Sequence, residues 1–326
     1  MSGVQKINVK TDEDGMRLDR WFKTKFPQLA HGKLEKLLRK GDIRVDGGRV
    51  KSNRRLASGE LVRVPPMGDA SSTKPMHRLP NDDKEIRSMV IYEDDVLIAI
   101  NKPFGLAVQG GSRTTRHVDG MLGAWGEGEK RPRLVHRLDK DTGGLLLLAR
   151  NRRAAQSLSA AFQGRDVEKT YWALTAGAPM PSEGRIDFQI AKRMVSVGQA
   201  GQERVVAADG EDTKKAFTDF QVLDDADRVA FVAMRPITGR THQLRVHAAA
   251  IDCPIIGDGK YGGTRAMIEG VPSKMHLFCR SMTFRHPASG KLTTLTADLT
   301  GHMKETFKFF SFDMNAKCDW PDKDDL

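Results

Sequence analysis

The sequence predicts an α+β fold, a mostly antiparallel central sheet with flanking helices, preceded by a small basic N-terminal module. Three observations lead there. Strand-like segments outnumber helical ones and do not alternate strictly with them, which disfavours a doubly wound parallel sheet. A stretch with four prolines, residues 65 to 85, separates two regions of different character. Residues 1 to 65 hold 16 Lys and Arg against 8 Asp and Glu, a surplus of +8, whereas the whole 326-residue chain carries +11.

The N-terminal module comes first. In "MRLDRWFKTKFPQL" (16 to 29), Leu18, Phe22 and Phe26 fall at i, i+4 and i+8, one apolar helical stripe that Pro27 should end. "GKLEKLLRK" (32 to 40) reads as a second helix that buries Leu34, Leu37 and Leu38 and leaves Lys33, Lys36, Arg39 and Lys40 polar. "DIRVDGGRV" alternates around Asp46-Gly47-Gly48 and reads as a β-hairpin. Two helices and a hairpin studded with bases suit a polyanion, with Lys33, Lys36, Arg39, Lys40, Arg44, Arg54 and Arg55 as candidate RNA contacts. The expected boundaries are 1–65 for this module, 66–86 for a proline-rich linker, 87–312 for a larger strand-rich domain and 313–326 for an acidic tail.

Beyond the linker, "SMVIYEDDVLIAINKP" (88 to 103) holds two β-branched runs broken by an acidic turn. Further strands are expected at 145–149, 170–175, 216–223 and 229–237, and helices at 152–163 and 241–251. Thr241 is placed to cap the second helix, whose Leu244, Ala248 and Ile251 should face the core. The tail from residue 313, with five Asp and two Lys, reads as loose.

Composition excludes several classes. Hydrophobic residues at 39% and charged residues at 29% suit a soluble globular protein. The apolar runs fall far short of the roughly 20 residues a bilayer requires. "MSGVQKINVKTDEDG" has no apolar segment of the signal-peptide kind. Three scattered cysteines argue against a disulfide framework or a cysteine zinc site. A cytoplasmic protein with no membrane partner is the expectation. The sequence pI of 9.6 points the same way as the N-terminal surplus, toward nucleic acid.

Several chemical labels fail on spacing. In "GDGKYGG" (257 to 263), Tyr261 stands where a phosphate loop needs Ser or Thr, and the glycines are misplaced. His242 and His247 are five apart, on different faces of a helix or strand, so no metal site is expected. Asp139 and Asp141 share one turn, unlike the carboxylates that flank a glycosidic bond. The stretch "RLVHRLDKDTGGLLLLAR" (133 to 150) stays informative. Leu145 to Leu148 read as a buried strand entered through Gly143-Gly144, with Asp139 on a turn at the sheet's end, where side chains meet a cleft. From these residues alone, a structural Arg–Asp pair closing the turn is the simpler account.

"HRLDKDTGG" (136 to 144) resembles the catalytic motif of the RluA-type pseudouridine synthases. The resemblance continues in family order through "IYEDDVLIAINKPFGLAVQGG" (91 to 111), "EKTYWAL" (168 to 174), "RPITGRTHQLRVHAAAIDCPIIGDGKYGG" (235 to 263) and "MHLFCRSMTFRHP" (275 to 287). Residues 16 to 65 resemble an S4 RNA-binding domain of the αL type. The "AVQGGS" and "RVPP" segments look more like the RluC branch than the RluD branch.

The resemblance implies a pseudouridine synthase fold, an RNA isomerase activity and no cofactor. Asp139 would be the catalytic carboxylate, by attack at C6, attack at C1′ or proton abstraction at C2′. Arg137 would enter the helical stack and help flip the uridine. Tyr171 would stack on the flipped base and could take the C5 proton. Arg240 would pair with Asp139 and position it. His136, Lys169 and His242 are read as structural or RNA-contacting. Two positions depart from the usual pattern: Gln109 stands where histidine is common, and Gly143 where Ser or Thr is common. Large-subunit ribosomal RNA is the expected partner of a monomeric enzyme. A tRNA-modifying member of the family and an inactive RNA-binding assembly factor are the alternatives.

Overall fold

The chain divides into two units, Met1–His77 and Arg78–Leu326, each built on hydrophobic clusters of its own. The computed structural model describes residues 3–26, 29, 31–66, 81–111, 114–197, 200–208, 210 and 212–320. No helix among these residues is long and apolar enough to cross a membrane.

The first unit contains β1 (Gln5–Asn8), α1 (Leu18–Lys25), α2 (His31–Lys40), β2 (Arg44–Val45) and β3 (Leu61–Val64). Its strands form an antiparallel sheet in the order β1-β3-β2. Helix α1 buries Leu18, Trp21 and Phe22, so Trp21 rather than Phe26 completes its apolar face; Phe26 is only partly buried. It ends at Lys25, just before Pro27 as expected, because the position before a proline resists helical dihedrals. Pro27 itself lies outside the described residues. Leu34 and Leu38 of α2 are buried as expected, and Leu37 partly so.

The hairpin expected over residues 42 to 50 is corrected. Its turn forms, with Val45 and Gly48 exchanging backbone hydrogen bonds of 3.1 and 2.9 Å. No return strand follows. β2 pairs instead with β3, Val45 opposite Val62. Asp46 directs this: its N–H donates to the Leu61 carbonyl and its carboxylate accepts the Leu61 N–H, both at 2.9 Å.

The second unit opens with α3 (Asp82–Ser88), β4 (Val90–Glu93), β5 (Leu97–Lys102) and α4 (Val118–Met121). It continues through β6 (Arg133–Leu134), β7 (Gly143–Ala149), α5 (Arg152–Gly164), β8 (Glu168–Ala176) and β9 (Glu183–Asp187). Next come β10 (Ile190–Val197), β11 (Ala200–Ala207), β12 (Phe217–Ala226), β13 (Val229–Pro236) and α6 (Gln243–Ala250). β14 (Leu277–Arg285), β15 (Leu292–Thr296) and α7 (Gly301–Phe310) close it. Helix α3 begins inside the stretch read as linker, with Ile86 fully buried and Asp82 paired to Arg116 at 3.0 Å. Residues 67–80 of that stretch lie outside the described residues.

Ten strands form one sheet, ordered β4-β5-β7-β14-β8-β13-β12-β9, with β15 on β14 and β6 on β7. Every pairing is antiparallel except β7 with β14, so the expected α+β architecture holds. That parallel pairing explains the two glycines before the leucine run. Gly144 has φ +102, and a Cβ there would stand 2.3 Å from the Cys279 carbonyl oxygen; one on Gly143 would meet the rings of Phe104 and Phe278 at 2.9 and 3.0 Å. Ser or Thr at 143 would not fit against these rings. Leu145 to Leu148 follow at 0% exposure, inside a strand with neighbours on both edges.

β10 and β11, not foreseen, pair as a two-stranded ribbon of their own. The tail is also corrected. Met314 accepts a hydrogen bond from Arg280 on its carbonyl, and the Trp320 indole donates to Thr170 Oγ1 at 3.0 Å, so residues 313–320 pack on the sheet; 321–326 lie outside the described residues.

Three histidines, the half-buried His136 and the fully buried His247 and His276, are expected to make this unit acid-sensitive. Burial pushes His136 down to about 3 and His247 and His276 down to about 4. In the unfolded chain each titrates near 6.5. The unfolded state therefore binds more protons below that value, and stability present above pH 6.5 is lost as pH falls toward 4. At pH 5 the loss is on the order of 2 kcal/mol per histidine. Urea titrations at pH 7.5 and 5.0 check this; equal midpoints would contradict it.

Candidate active site

Asp139 sits on the loop between β6 and β7, and both flanks of that loop are clamped. On one side, the fully buried Lys102 ammonium donates to the carbonyls of Pro103 (3.0 Å), Leu106 (2.9 Å) and Lys140 (3.2 Å). Its burial pulls the ammonium down to about 8. On the other side, His136 Nε2 accepts the Leu147 N–H at 2.9 Å and its ring stacks on Phe162 at 4.3 Å. An imidazole that accepts there must be neutral, which fits its depressed pKa. His136 is structural, as expected.

The loop borders a cleft of about 650 Å³ whose lining includes Arg137, Asp139, Tyr171, Arg240, His242 and Arg245. All four residues expected to be catalytic therefore share one cleft. Arg137 is exposed at its edge. Tyr171 projects from β8, opposite the buried Cys279 of β14, and burial raises the phenol well above its ordinary value.

The expected Arg240–Asp139 pair is not present. Arg240 is exposed and its Nε donates to the Lys215 carbonyl at 3.3 Å. The arginine beside Asp139 is Arg245, one helical turn further on, with Nη1 3.6 Å from Oδ2. His242 Nε2 lies at the same distance from the same oxygen. Arg245 is itself held by Asp258, Nε to Oδ2 at 2.7 Å and Nη2 to Oδ1 at 2.8 Å, with Asp258 1% exposed. Asp139 makes no hydrogen bond through its carboxylate among the described residues and is 35% exposed, so the group is oriented but available.

A buried amide fixes the turn that carries these groups. Gln243 Oε1 accepts from Thr238 Oγ1 (2.7 Å) and the Arg240 N–H (3.1 Å), while Nε2 donates to the Phe217 carbonyl (2.8 Å) and Thr218 Oγ1 (2.9 Å). Thr241 is not the helix cap. His242 takes that position in a left-handed conformation, φ 55 and ψ 18, with no side-chain cap. His247 points elsewhere, its Nε2 3.3 Å from the Phe188 carbonyl.

Arg245, Asp258, Gln243, Tyr261 and Lys102 were not singled out from the sequence as site residues. One signal was present. "QLRVHAAA" places Gln, Arg and His inside a short helix whose apolar residues lie on every side, and a buried arginine requires a buried acid.

An antiparallel α+β domain with one carboxylate poised over a cationic, aromatic-walled cleft matches a known class. The profile of the RNA pseudouridylate synthase family matches residues 96–250, from β5 through α6. The chain is 34% identical to ribosomal large subunit pseudouridine synthase C of Haemophilus influenzae, over 93% of this chain and 94% of the relative. It is 37% identical to the Rickettsia conorii protein of the same name, over 77% and 84%. Among solved structures, human RNA pseudouridylate synthase domain containing 4 superposes with a TM-score of 0.57 at 28% identity, over 70% of this chain and 95% of that one. The chain belongs to the RNA pseudouridylate synthase family, as an RluA-type enzyme. It is an RNA pseudouridine synthase, an isomerase.

Proposed function

We propose that this enzyme converts uridines of large-subunit ribosomal RNA to pseudouridine, as a cytoplasmic monomer, with Asp139 as its catalytic carboxylate. The observation that carries the reading is the unbonded Asp139 carboxylate in the cleft, flanked at 3.6 Å by Arg245 and His242. In the reaction the N1–C1′ bond breaks, the detached uracil turns within the cleft, C5 bonds to C1′, and the C5 proton leaves as N1 is protonated. Tyr171 is the stacking wall for the base; a phenol raised this far is poorly suited to remove a proton. The test is incubation of the purified chain with large-subunit ribosomal RNA and with tRNA, followed by pseudouridine mapping. Discrete sites in the ribosomal RNA are expected; modification of tRNA alone would overturn the substrate reading.

Arg137, exposed at the cleft edge, is assigned to flipping the target nucleotide, which costs a few kcal/mol of unstacking. Arg137→Ala should slow turnover on a paired target and recover on a substrate whose target uridine is mismatched. Equal impairment on both would remove the flipping role.

The N-terminal unit is assigned as the S4-type RNA-binding domain. Lys33, Lys36, Arg39 and Lys40 stand exposed on α2. The other candidates serve the fold as well: Arg44 donates to Gly41 and Gly47 carbonyls, Arg54 pairs with Glu60 at 2.6 Å, and Arg55 donates to the Gly15 carbonyl. Helix α2 is thus the principal phosphate-facing surface. Deleting residues 1–77 should weaken RNA binding and make the slope of log K against log salt shallower by about 3, for four lost phosphate contacts. An unchanged slope would place the RNA surface elsewhere.

A further inference from the structure

"GDGKYGG", which fails as a phosphate loop, supports the two residues that flank Asp139. Its Asp258 holds Arg245, and its Tyr261 hydroxyl lies 2.6 Å from His242 Nδ1. Three features of His242 are unusual together. Its backbone is left-handed, costly for a side chain with a Cβ and found where surrounding structure enforces it. One ring nitrogen is taken by a half-buried phenol. The other faces the oxygen of Asp139 that Arg245 also approaches.

The hydrogen-bond directions can be worked out. With Nε2 facing a carboxylate oxygen, the Tyr261 hydroxyl 2.6 Å from Nδ1 is the donor in that contact. An Nδ1 that accepts puts the imidazole proton on Nε2, aimed at Asp139. The opposite tautomer would set a lone pair against a carboxylate. Protonation of both nitrogens is opposed by burial and by the neighbouring cations Arg245 and Lys260, against which Asp139 and Asp258 act; the net effect holds the imidazole below its ordinary value. Burial likewise keeps the Tyr261 phenol protonated.

We propose that His242 is a positioning residue for Asp139, its Nε2–H directed at Oδ2 because Tyr261, anchored to β11, fixes the tautomer. The 3.6 Å gap closes to a hydrogen bond when RNA fills the cleft, as catalytic contacts commonly tighten on substrate binding. With Oδ2 held by His242 and Arg245, Oδ1 is the oxygen presented to the nucleotide. The ribbon β10–β11 thereby becomes part of the catalytic support: Arg204 donates to the Lys260 carbonyl at 2.5 Å, and Tyr261 packs against the cluster that holds Val205. This proposal rests on Asp139 being the catalytic carboxylate.

The test uses the full chain with steady-state kinetics and a separate RNA-binding measurement. Tyr261→Phe removes one hydroxyl and is expected to lower kcat about 10-fold, with KM and RNA affinity within about 2-fold. His242→Gln carries an amide N–H₂ near the Nε2 position and has no tautomer to fix, so it should retain kcat within about 5-fold, whereas His242→Ala should lose about 30-fold. The decisive comparison is Tyr261→Phe in the His242→Gln background, where it should cost less than about 2-fold. An equal cost in both backgrounds, or wild-type kcat in Tyr261→Phe, overturns the proposal. Asp139→Asn is measured alongside: if it stays active, the failure lies with the carboxylate's assignment; if it is inactive while the comparison fails, the failure lies with His242.

Discussion

Asp139→Asn is expected to fold and bind RNA like the parent enzyme while forming pseudouridine at least about 10³-fold more slowly. The substitution is nearly isosteric. The carboxylate it replaces is 35% exposed and accepts no hydrogen bond from the described residues, so nothing structural depends on its charge. Arg245 keeps its bidentate partner Asp258 and is not left unpaired. Stability should therefore change by no more than about 0.5 kcal/mol. What is lost is the anionic oxygen: an amide neither attacks carbon nor takes a proton under these conditions. RNA affinity should hold, because no cation is removed. A variant that turns over within tenfold of the parent would take Asp139 out of the chemistry, although no other carboxylate stands among the described residues that line the cleft.

The larger fold was legible because its signals are local. β-branched runs, the acidic turn at Asp94-Asp95 and the leucine run at 145 to 148 each mark a strand without reference to any partner. Pairing is not local. The turn at Asp46-Gly47 formed where expected, yet its strand joined β3, sixteen residues away, through the Asp46 carboxylate. The glycines at 143 and 144 were read as a tight strand entrance; the reason they are required, a parallel neighbour at Phe278 and Cys279, lies more than 130 residues downstream.

The site was legible in the same uneven way. Asp139, Arg137 and Tyr171 converge as the motifs implied, because each motif is a short run on one element. The choice between two arginines five residues apart was a question of geometry. Arg240 lies on the turn before α6 and points to the Lys215 carbonyl; Arg245 lies inside the helix, where its side chain returns toward the loop of Asp139. Spacing along the chain could not distinguish them. Burial could: Arg245 is 9% exposed, and a charge so enclosed must have an acid beside it.

That distinction sets the second large effect. Arg245→Ala is expected to lose about 10²-fold or more in kcat and about 3 to 5 kcal/mol in stability. The stability loss comes from Asp258, 1% exposed, which would keep its backbone contacts to Lys260 and Tyr261 but lose both guanidinium hydrogen bonds and remain a buried charge. The kinetic loss comes from Asp139, whose Oδ2 would keep only His242. Arg245→Lys separates the two, since an ammonium preserves the charge but cannot span both oxygens of Asp258; it should recover part of the stability and less of the kcat. Arg240→Ala should do neither. It breaks one 3.3 Å hydrogen bond to Lys215, so stability should hold within about 0.5 kcal/mol and kcat within about 3-fold, with any change appearing in KM through a lost phosphate contact. Thermal unfolding and steady-state kinetics of the three variants decide the matter. A collapse of kcat in Arg240→Ala with Arg245→Ala unaffected would restore the pairing first read from the sequence and show that the arrangement seen here is not the one that meets RNA.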